Sequence, residues 1–450
     1  MNTTRRELLT GAGVIVAGGL AGCVGNGSSS GNTTTPAPTP TPTPTPTPAE
    51  PVQVAKLAAW DGGPEDRFGH AVALSGDGTT ALLGAPLDEN PNGPNLGSAY
   101  VFTREGDEWG AAGKLAAADG DVGDQFGAAV ALSADGTVAL VGAPRDEDPL
   151  DSDYGSAYLF ALEAGEWGQT TKLVTARGGP LLERFGWSVA LSADGTRAIV
   201  GAPNGGPEHN GAASVFSRSG TEWSLEGFLT PTRRDLADNW GRSVALSNDG
   251  RTALVGAFPR SRLNNSTPGF VAVYTRDGDV WSQVDTLEPL SSDTPGGFGW
   301  TVALAGDGES LLVGAPAETT PNDALAGAGH VFTRSGSDWS RSERLVATDG
   351  ARNDEFGYAV ALSDDGTVAL VGARRDDNPR GIEAGAAYMY SQVDGAWTRQ
   401  VKLLPNDGDD GDIFGWSAAL SGDGRTVLVG APLDEDPEGE NGGSAYVFDR

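Results

Sequence analysis

The sequence has little of the residue types on which most enzymes and metal sites depend. It contains one cysteine, Cys23, and three histidines that lie far apart in the chain, His70, His209 and His330. A disulfide within one chain is therefore excluded, and no cysteine or histidine set has the spacing of a metal site. No Ser–His–Asp arrangement or phosphate-binding loop stands out. The sequence thus favours a protein without catalytic residues. A polysaccharide hydrolase or lyase stays open as the alternative, because 61 acidic residues guarantee some close carboxylate pairs.

Positive charge is also scarce. Only four lysines occur, each directly before a leucine, and they are Lys56, Lys114, Lys172 and Lys402. The formal net charge is −31. Such an acidic surface suits solubility in concentrated salt and argues against nucleic acid or an anionic membrane surface as a partner. We therefore expect a halophilic source. Adaptation to salt then explains most of the negative charge without a bound ligand.

The N-terminal segment, residues 1–22, has the features of an export signal. Arg5-Arg6 precedes a short apolar region, an arrangement that resembles a twin-arginine signal, and this region is too short to span a membrane. It ends in Leu20-Ala21-Gly22-Cys23, which resembles a lipoprotein processing site. Cys23 is therefore the predicted lipid attachment point, with an unmodified cysteine near a plain cleavage site as the alternative.

Residues 23–50 begin with a polar, Gly/Ser-rich stretch and continue as alternating Thr and Pro. Such a run adopts polyproline II and acts as a semi-rigid stalk. These features predict an exported protein at the cell surface. The lipid on Cys23 would anchor it to the outer face of the cytoplasmic membrane, which it touches only there.

Residues 51–450 contain one unit seven times. A Phe-Gly pair recurs every 55 to 59 residues, at Phe68, Phe126, Phe185, Phe298, Phe356 and Phe414, with Trp240-Gly241 in the remaining place. A Gly-Ala-Pro motif follows in most units, as at Gly84 to Pro86. Between them lie apolar runs of five to eight residues bounded by Gly, Pro and Asp, with an Asp-Gly hairpin after the first run. This pattern predicts a four-stranded antiparallel meander in each unit.

Radial repetition buries both faces of such sheets, so we expect an all-β, seven-bladed β-propeller. The last unit stops at Arg450 after its third strand, whereas Val52 to Leu57 precede the first unit. We expect this N-terminal strand to join the C-terminal blade and close the ring. With these motifs, residues 52–450 resemble the FG-GAP repeat family, seven-bladed propellers found in integrin α-chain heads and in many microbial surface proteins. The resemblance implies a binding or adhesion module.

Acidic residues concentrate in units 6, 7, 1 and 2, which are contiguous in a closed ring and carry them in both loops of one face. The resemblance makes this the binding face. We interpret this acidic sector as a candidate Ca²⁺ site, because Ca²⁺ takes six to eight oxygen ligands. The alternative is a solvated loop copied during repeat duplication. The candidate ligands are Asp119, Asp121, Asp124, Asp146, Asp148, Asp407, Asp412, Asp434 and Asp436. The Asp-Gly hairpins on the other face carry too few carboxylates for an integrin-type calcium loop, and we interpret them as structural turns.

The residue after each Phe-Gly pair is often aromatic: Trp187, Trp300, Tyr358 and Trp416. Two interpretations are open. These side chains could pack between blades, or they could line an axial mouth and stack on sugar rings.

Asn264 and Asn265 each begin a sequon and are candidate glycosylation sites. Taken together, the sequence predicts a lipid-anchored, monomeric binding or adhesion module for an extracellular protein or glycan. It predicts no certain cofactor, with Ca²⁺ possible. A structural component of the cell envelope is a further alternative.

Overall fold

The computed structural model describes residues 50–89, 95–148, 152–153, 155–174, 184–205, 210–233, 239–258, 268–290, 296–320, 325–435 and 441–450. The predicted signal, Cys23, the stalk up to residue 49, Asn264, Asn265, Asp436 and the side chain of Asp148 lie outside this part of the chain.

The described residues form thirty β-strands and no α-helix. Seven four-stranded antiparallel sheets result, numbered as blades 1 to 7 after the sequence units. Blade 1 contains β2 (Ala71–Leu74), β3 (Thr80–Ala85), β4 (Ser98–Glu105) and β5 (Glu108–Leu115). Blade 2 contains β6 (Ala129–Leu132), β7 (Val138–Ala143), β10 (Ser156–Glu163) and β11 (Glu166–Leu173). A small hairpin of β8 (Glu147–Asp148) and β9 (Ser152–Asp153) lies in the loop between β7 and β10. Blade 3 contains β12 (Ser188–Leu191), β13 (Arg197–Ala202), β14 (Ala212–Ser219) and β15 (Glu222–Leu229).

Blade 4 contains β16 (Ser243–Leu246), β17 (Thr252–Ala257), β18 (Phe270–Asp277) and β19 (Val280–Leu287). Blade 5 contains β20 (Thr301–Leu304), β21 (Ser310–Ala315), β22 (Ala328–Ser335) and β23 (Asp338–Leu345). Blade 6 contains β24 (Phe356–Leu362), β25 (Val368–Ala373), β26 (Ala386–Val393) and β27 (Ala396–Leu403). Blade 7 contains β28 (Ser417–Leu420), β29 (Thr426–Ala431), β30 (Ser444–Asp449) and β1 (Val52–Leu57). In the described residues, no helix is long and apolar enough to cross a membrane.

The Asp-Gly hairpins are stabilised by their own side chains. In blade 2, the Asp135 Oδ1 atom accepts hydrogen bonds from the Ser133 hydroxyl at 2.6 Å and from the Thr137 amide at 3.0 Å. Partial burial opposes ionisation of Asp135, yet these bonds lower its pKa. Gly136 supplies the positive φ of 68° that the turn requires. This carboxylate is thus engaged in the turn, as the interpretation of a structural hairpin requires.

Backbone hydrogen bonds join the hairpin tips of neighbouring blades around the axis. The amide of each tip donates to a carbonyl of the next tip at 2.8–3.1 Å, and the chain of bonds returns to its start. The donors are Gly76, Ala134, Ala193, Asn248, Asp307, Asp364 and Gly422. This ring of hydrogen bonds narrows the opening around the axis on the hairpin face.

Close packing joins the blades nearer the other face. The Phe of each Phe-Gly pair is buried in a core between blades; Phe126, for example, is 1% exposed and lies 5.5 Å from the Tyr158 ring. Beside it, a Cβ on Gly84 of blade 1 would overlap the carbonyl oxygen of Gly127 of blade 2. The two motifs therefore meet glycine against glycine where one blade contacts the next.

The ring closes through the N-terminal strand, as the sequence predicts. β1 pairs antiparallel with β30, with Val52 opposite Asp449 and Leu57 opposite Ala445. Arg104 of blade 1 forms an ion pair with Asp449 of blade 7 at 2.6 Å. Blade 7 is thus built from both ends of the repeat region.

Removal of β1 tests this closure. A chain that begins at residue 58 should melt well below one that begins at residue 50, because blade 7 loses its outer strand and the core loses Leu57, which is 3% exposed. Loss of a buried leucine side chain alone costs about 2–5 kcal/mol. Equal melting temperatures of the two chains, measured by circular dichroism in the same brine, would contradict the closure.

Candidate functional site

A cavity of about 650 Å³ lies on the propeller axis and opens on the face opposite the hairpins. Its wall is built in rings, because each blade contributes the same inner-strand positions. The residues after the Phe-Gly and Trp-Gly pairs form one ring: His70, Ala128, Trp187, Arg242, Trp300, Tyr358 and Trp416. Below it lies an apolar ring of Val72, Val130, Val189, Val244, Val302, Val360 and Ala418. All four predicted aromatic ligand-binding residues therefore line the cavity; their binding of a ligand stays a prediction.

The aromatic side chains contact one another along the wall. Ring centroids are 5.4 Å apart for Trp300 and Tyr358, 5.1 Å for Tyr358 and Trp416, and 5.3 Å for Trp416 and His70. Arg242 extends this belt, because its guanidinium lies 4.0 Å from the Trp300 ring centroid and 5.0 Å from that of Trp187. The rings thus hold each other in place, which leaves a preformed surface for a flat ligand.

Arginines surround the same cavity. Five of its lining residues are Arg67, Arg145, Arg184, Arg242 and Arg374, and none of its described lining residues is acidic. Arg374 forms an ion pair with Glu355 at 2.5 Å and lies 4.0 Å from the Tyr358 ring centroid. Burial, with a smaller effect of the Arg67 charge, lowers the pKa of His70 to about 4, so this imidazole is neutral at pH 7. The sequence does not predict this cluster, because its arginines come from five different units.

In the acidic sector, the structure places a lysine between the predicted calcium ligands. In blade 2, the Lys172 Nζ atom lies 2.7 Å from Asp119 and 2.8 Å from Asp146, and 5.1 Å from the Tyr158 ring centroid. We call this set a lysine clamp. It joins the outer strand to the loops of the open face.

The clamp recurs in every unit of the acidic sector. Lys114 pairs with Asp61 and Asp88, Lys402 with Asp349 and Asp376, and Lys56 with Asp407 and Asp434, at 2.7–3.3 Å. All four lysines of the sequence therefore serve in it. In the sequence, the only sign of the clamp is that all four lysines directly precede a leucine. The strand register explains this position, because it places each lysine opposite a tyrosine.

Blade 5 carries the same clamp in other residues. Arg344, His330 and Glu318 stand where blade 1 has Lys114, Tyr100 and Asp88. Glu318 is fully buried, accepts a hydrogen bond from Arg344 at 2.8 Å and lies 2.7 Å from the His330 Nε2 atom. Three coordinated replacements that keep a cation, a carboxylate and a ring indicate a structural role for the clamp.

A third aspartate lies buried beside each lysine clamp. Asp124 and Asp412 accept backbone hydrogen bonds from Asp121 and Asp409, both at 2.7 Å. Burial, opposed by these bonds and reinforced by the neighbouring carboxylate, raises the pKa of Asp124 to about 6 and that of Asp412 to about 7. Asp66 and Asp354 lie in the same position, with pKa values raised to about 6.

Asp121 contributes its amide, and its side chain is exposed. Asp148 is the second residue of β8. Within the described part of the chain, no group of three or more His, Cys, Asp or Glu side chains is arranged to hold a metal ion. Calcium binding in the acidic sector stays a prediction, and a lysine ammonium competes for its predicted ligands.

A family model described as FG-GAP repeat matches residues 51–102, 109–160, 167–216, 339–390 and 397–448, more than half of the chain. The matched segments leave out β15 of blade 3, blade 4 and most of blade 5, although these blades have the same four strands as the others. A search of curated proteins finds no match.

The four buried aspartates predict an unusual pH dependence. Their folded-state pKa values are raised to 6–7, above about 3.9 for an unfolded aspartate. Their contribution to stability is therefore fully present below pH 4 and is lost as the pH rises through 6–7. The fourfold Asp→Asn variant at Asp66, Asp124, Asp354 and Asp412 should melt at a higher temperature than the wild type at pH 8, with a smaller fall between pH 4 and pH 8.

A matched control neutralises four exposed acids, Glu105, Glu108, Glu163 and Glu166, to glutamine. Melting curves at constant salt give the comparison. If the buried and exposed variants shift alike, the effect is one of net charge, and the raised pKa values are wrong.

The lysine clamp makes the calcium hypothesis testable. A Lys56→Met/Lys172→Met variant leaves the predicted ligands without their lysines, namely Asp119, Asp146, Asp407 and Asp434. Its melting temperature should fall, since breaking a buried ion pair costs about 3–5 kcal/mol. Added Ca²⁺ should then raise its melting temperature more than that of the wild type, with Arg251→Met/Arg425→Met as the control that removes the same charge. No shift with Ca²⁺ in either protein would remove the calcium hypothesis.

Proposed function

Since the chain belongs to the FG-GAP repeat family, a β-propeller family of binding and adhesion modules, we propose that it binds an extracellular glycan or protein at the cell surface without transforming it. The axial cavity is the proposed binding site. The observation that carries this proposal is the continuous belt of aromatic rings on its wall.

Size and rigidity support the cavity as a site. Its volume of about 650 Å³ falls within the usual range of ligand pockets, about 300–1,000 Å³. Because Trp300, Tyr358 and Trp416 contact one another, their rings lose little freedom when a ligand stacks on them, and preorganisation of this kind favours affinity.

The charges of the cavity support binding over hydrolysis. Glycosidases use two carboxylates that flank the scissile bond. The described cavity lining carries none, and the acidic pairs of the acidic sector are engaged with lysines. We therefore assign no catalytic residue.

The N-terminal sequence supports a site of action at the cell surface. We propose that residues 1–22 direct export and that a lipid on Cys23 anchors the chain to the outer face of the cytoplasmic membrane. We propose that the protein acts there as a monomer and reaches its ligand away from the membrane.

Binding by the aromatic belt predicts a specific loss. The full chain should capture a ligand in a screen of glycans and surface proteins, and Trp300→Ala or Trp416→Ala should weaken this capture at least about fivefold, since one aromatic contact contributes about 1 kcal/mol. Trp60→Ala is the control, because Trp60 is 47% exposed and lies outside the cavity. Equal losses in all three variants would place binding elsewhere, and no capture at all would favour a structural role in the envelope.

A further inference from the structure

We propose that the ligand of the axial cavity is an anionic carbohydrate, one whose sugar rings carry carboxylate or sulfate groups. This inference rests on the proposed function, because it names the class of ligand that the cavity takes. Four features of the cavity carry it: its charge, the positions of its arginines, the use of its serine hydroxyls and the depth at which charged and apolar groups lie.

The cavity reverses the charge of the protein. The sequence has 61 acidic and 30 basic residues, so acids outnumber bases about twofold. Among the described residues that line the cavity, five are arginines, of which Arg374 pairs with Glu355, and none is acidic. A concave site lined by one sign of charge concentrates oppositely charged ligands. Its potential therefore favours an anion.

The arginines do not occupy one repeated position. Arg67 and Arg184 precede a Phe-Gly pair, and Arg242 follows the Trp-Gly pair. Arg374 replaces the proline of Gly-Ala-Pro, and Arg145 follows that proline. Copying of a repeat would place them at equivalent positions, as it does for the four lysines. These arginines come from five blades and from four different positions of the repeat, and what they share is their location in the cavity wall. This shared location indicates that the cavity itself requires them.

Three serine hydroxyls of the wall are used by the fold. The hydroxyls of Ser188, Ser243 and Ser417 donate to the carbonyl oxygens of Gly241, Gly299 and Gly69 at 2.7–3.2 Å. A peptide backbone would need such donors and acceptors, whereas a sugar ring can stack on the belt and present its anionic groups to the arginines. A guanidinium binds carboxylate or sulfate oxygens through two parallel N–H bonds.

The charged contacts and the stacking contacts lie at different depths in the cavity. Arg67 and Arg145 are exposed at the mouth, above the aromatic ring. The belt and the valine ring lie deeper and offer apolar faces. A sugar with one apolar face and charged substituents at its edge matches both layers. At 1 M salt the Debye length is about 3 Å, so such contact pairs persist while longer-range attraction is screened.

The test compares ligands that differ in their anionic groups. The probes are tetragalacturonate, its fully methyl-esterified form, a chondroitin sulfate tetrasaccharide and the same tetrasaccharide without sulfate, titrated calorimetrically into the full chain at a fixed NaCl concentration. We expect tetragalacturonate or the chondroitin sulfate to bind at least tenfold more tightly than the neutral ester. Because chondroitin carries carboxylates with or without sulfate, tighter binding of its sulfated form than of its unsulfated form identifies sulfate as the preferred group. The Arg67→Gln/Arg145→Gln variant should lose at least tenfold in affinity for the charged probe that binds most tightly.

The matched control is Arg251→Gln/Arg425→Gln, which removes the same charge from two exposed arginines that directly follow the Asp-Gly hairpin turns of blades 4 and 7. It should leave the affinity unchanged.

Equal binding of the charged and esterified probes, lost only with Trp300→Ala, would overturn the anionic ligand and leave the proposed function intact. If tetraglutamate binds more tightly than either charged sugar and depends on Arg67 and Arg145, the ligand is an acidic peptide and the carbohydrate proposal is wrong. If no probe binds and no ligand appears in the screen, both proposals fail.

Discussion

A contact between blades that is made by backbone alone sets how tightly the propeller packs, and the rest of the ring depends on it. Gly84 of one blade faces Gly127 of the next, with no room for a Cβ on Gly84, and the corresponding glycines meet at all seven interfaces. This contact fixes how closely the inner strands approach the axis. Because the next residue after Gly127 and its equivalents lines the cavity, the motif that builds the ring also sets the width of the site.

Repetition and divergence separate the structural from the functional charges. The lysine clamp occurs in one register in blades 1, 2, 6 and 7, and blade 5 rebuilds it with Arg344 and Glu318. A cluster that keeps its character when its cation, its buried carboxylate and its ring are all replaced is maintained for the fold. The cavity arginines show the opposite pattern, since no two adjacent blades place them at the same position. Charges that vary in position but share a destination are more readily explained by a ligand.

The sequence predicts the blades well because their determinants are local. Alternating apolar runs, Asp-Gly turns and the Phe-Gly period each act within one unit, and even the closure by β1 follows from the shortfall of a strand in the last unit. The site is harder to predict. Strand parity shows that Trp300 and Trp416 share a face, but only the closed ring decides whether that face meets the axis or another blade. Arg145 and Arg374 become neighbours of one cavity only through the contacts of blades 2 and 6 with the axis.

Two opposite charge distributions coexist in this molecule because they act over different distances. The acidic exterior acts through solvent, where salt screens it within about a Debye length, roughly 3 Å at 1 M. Of the cavity arginines, Arg242 and Arg374 act within a partly enclosed space, stacked on aromatic rings at 4.0 Å. Contacts of that kind are screened far less than exposed charges. A net charge of −31 therefore does not oppose binding of an anionic ligand to the axial cavity in concentrated salt. The same charge keeps the protein molecules apart from one another.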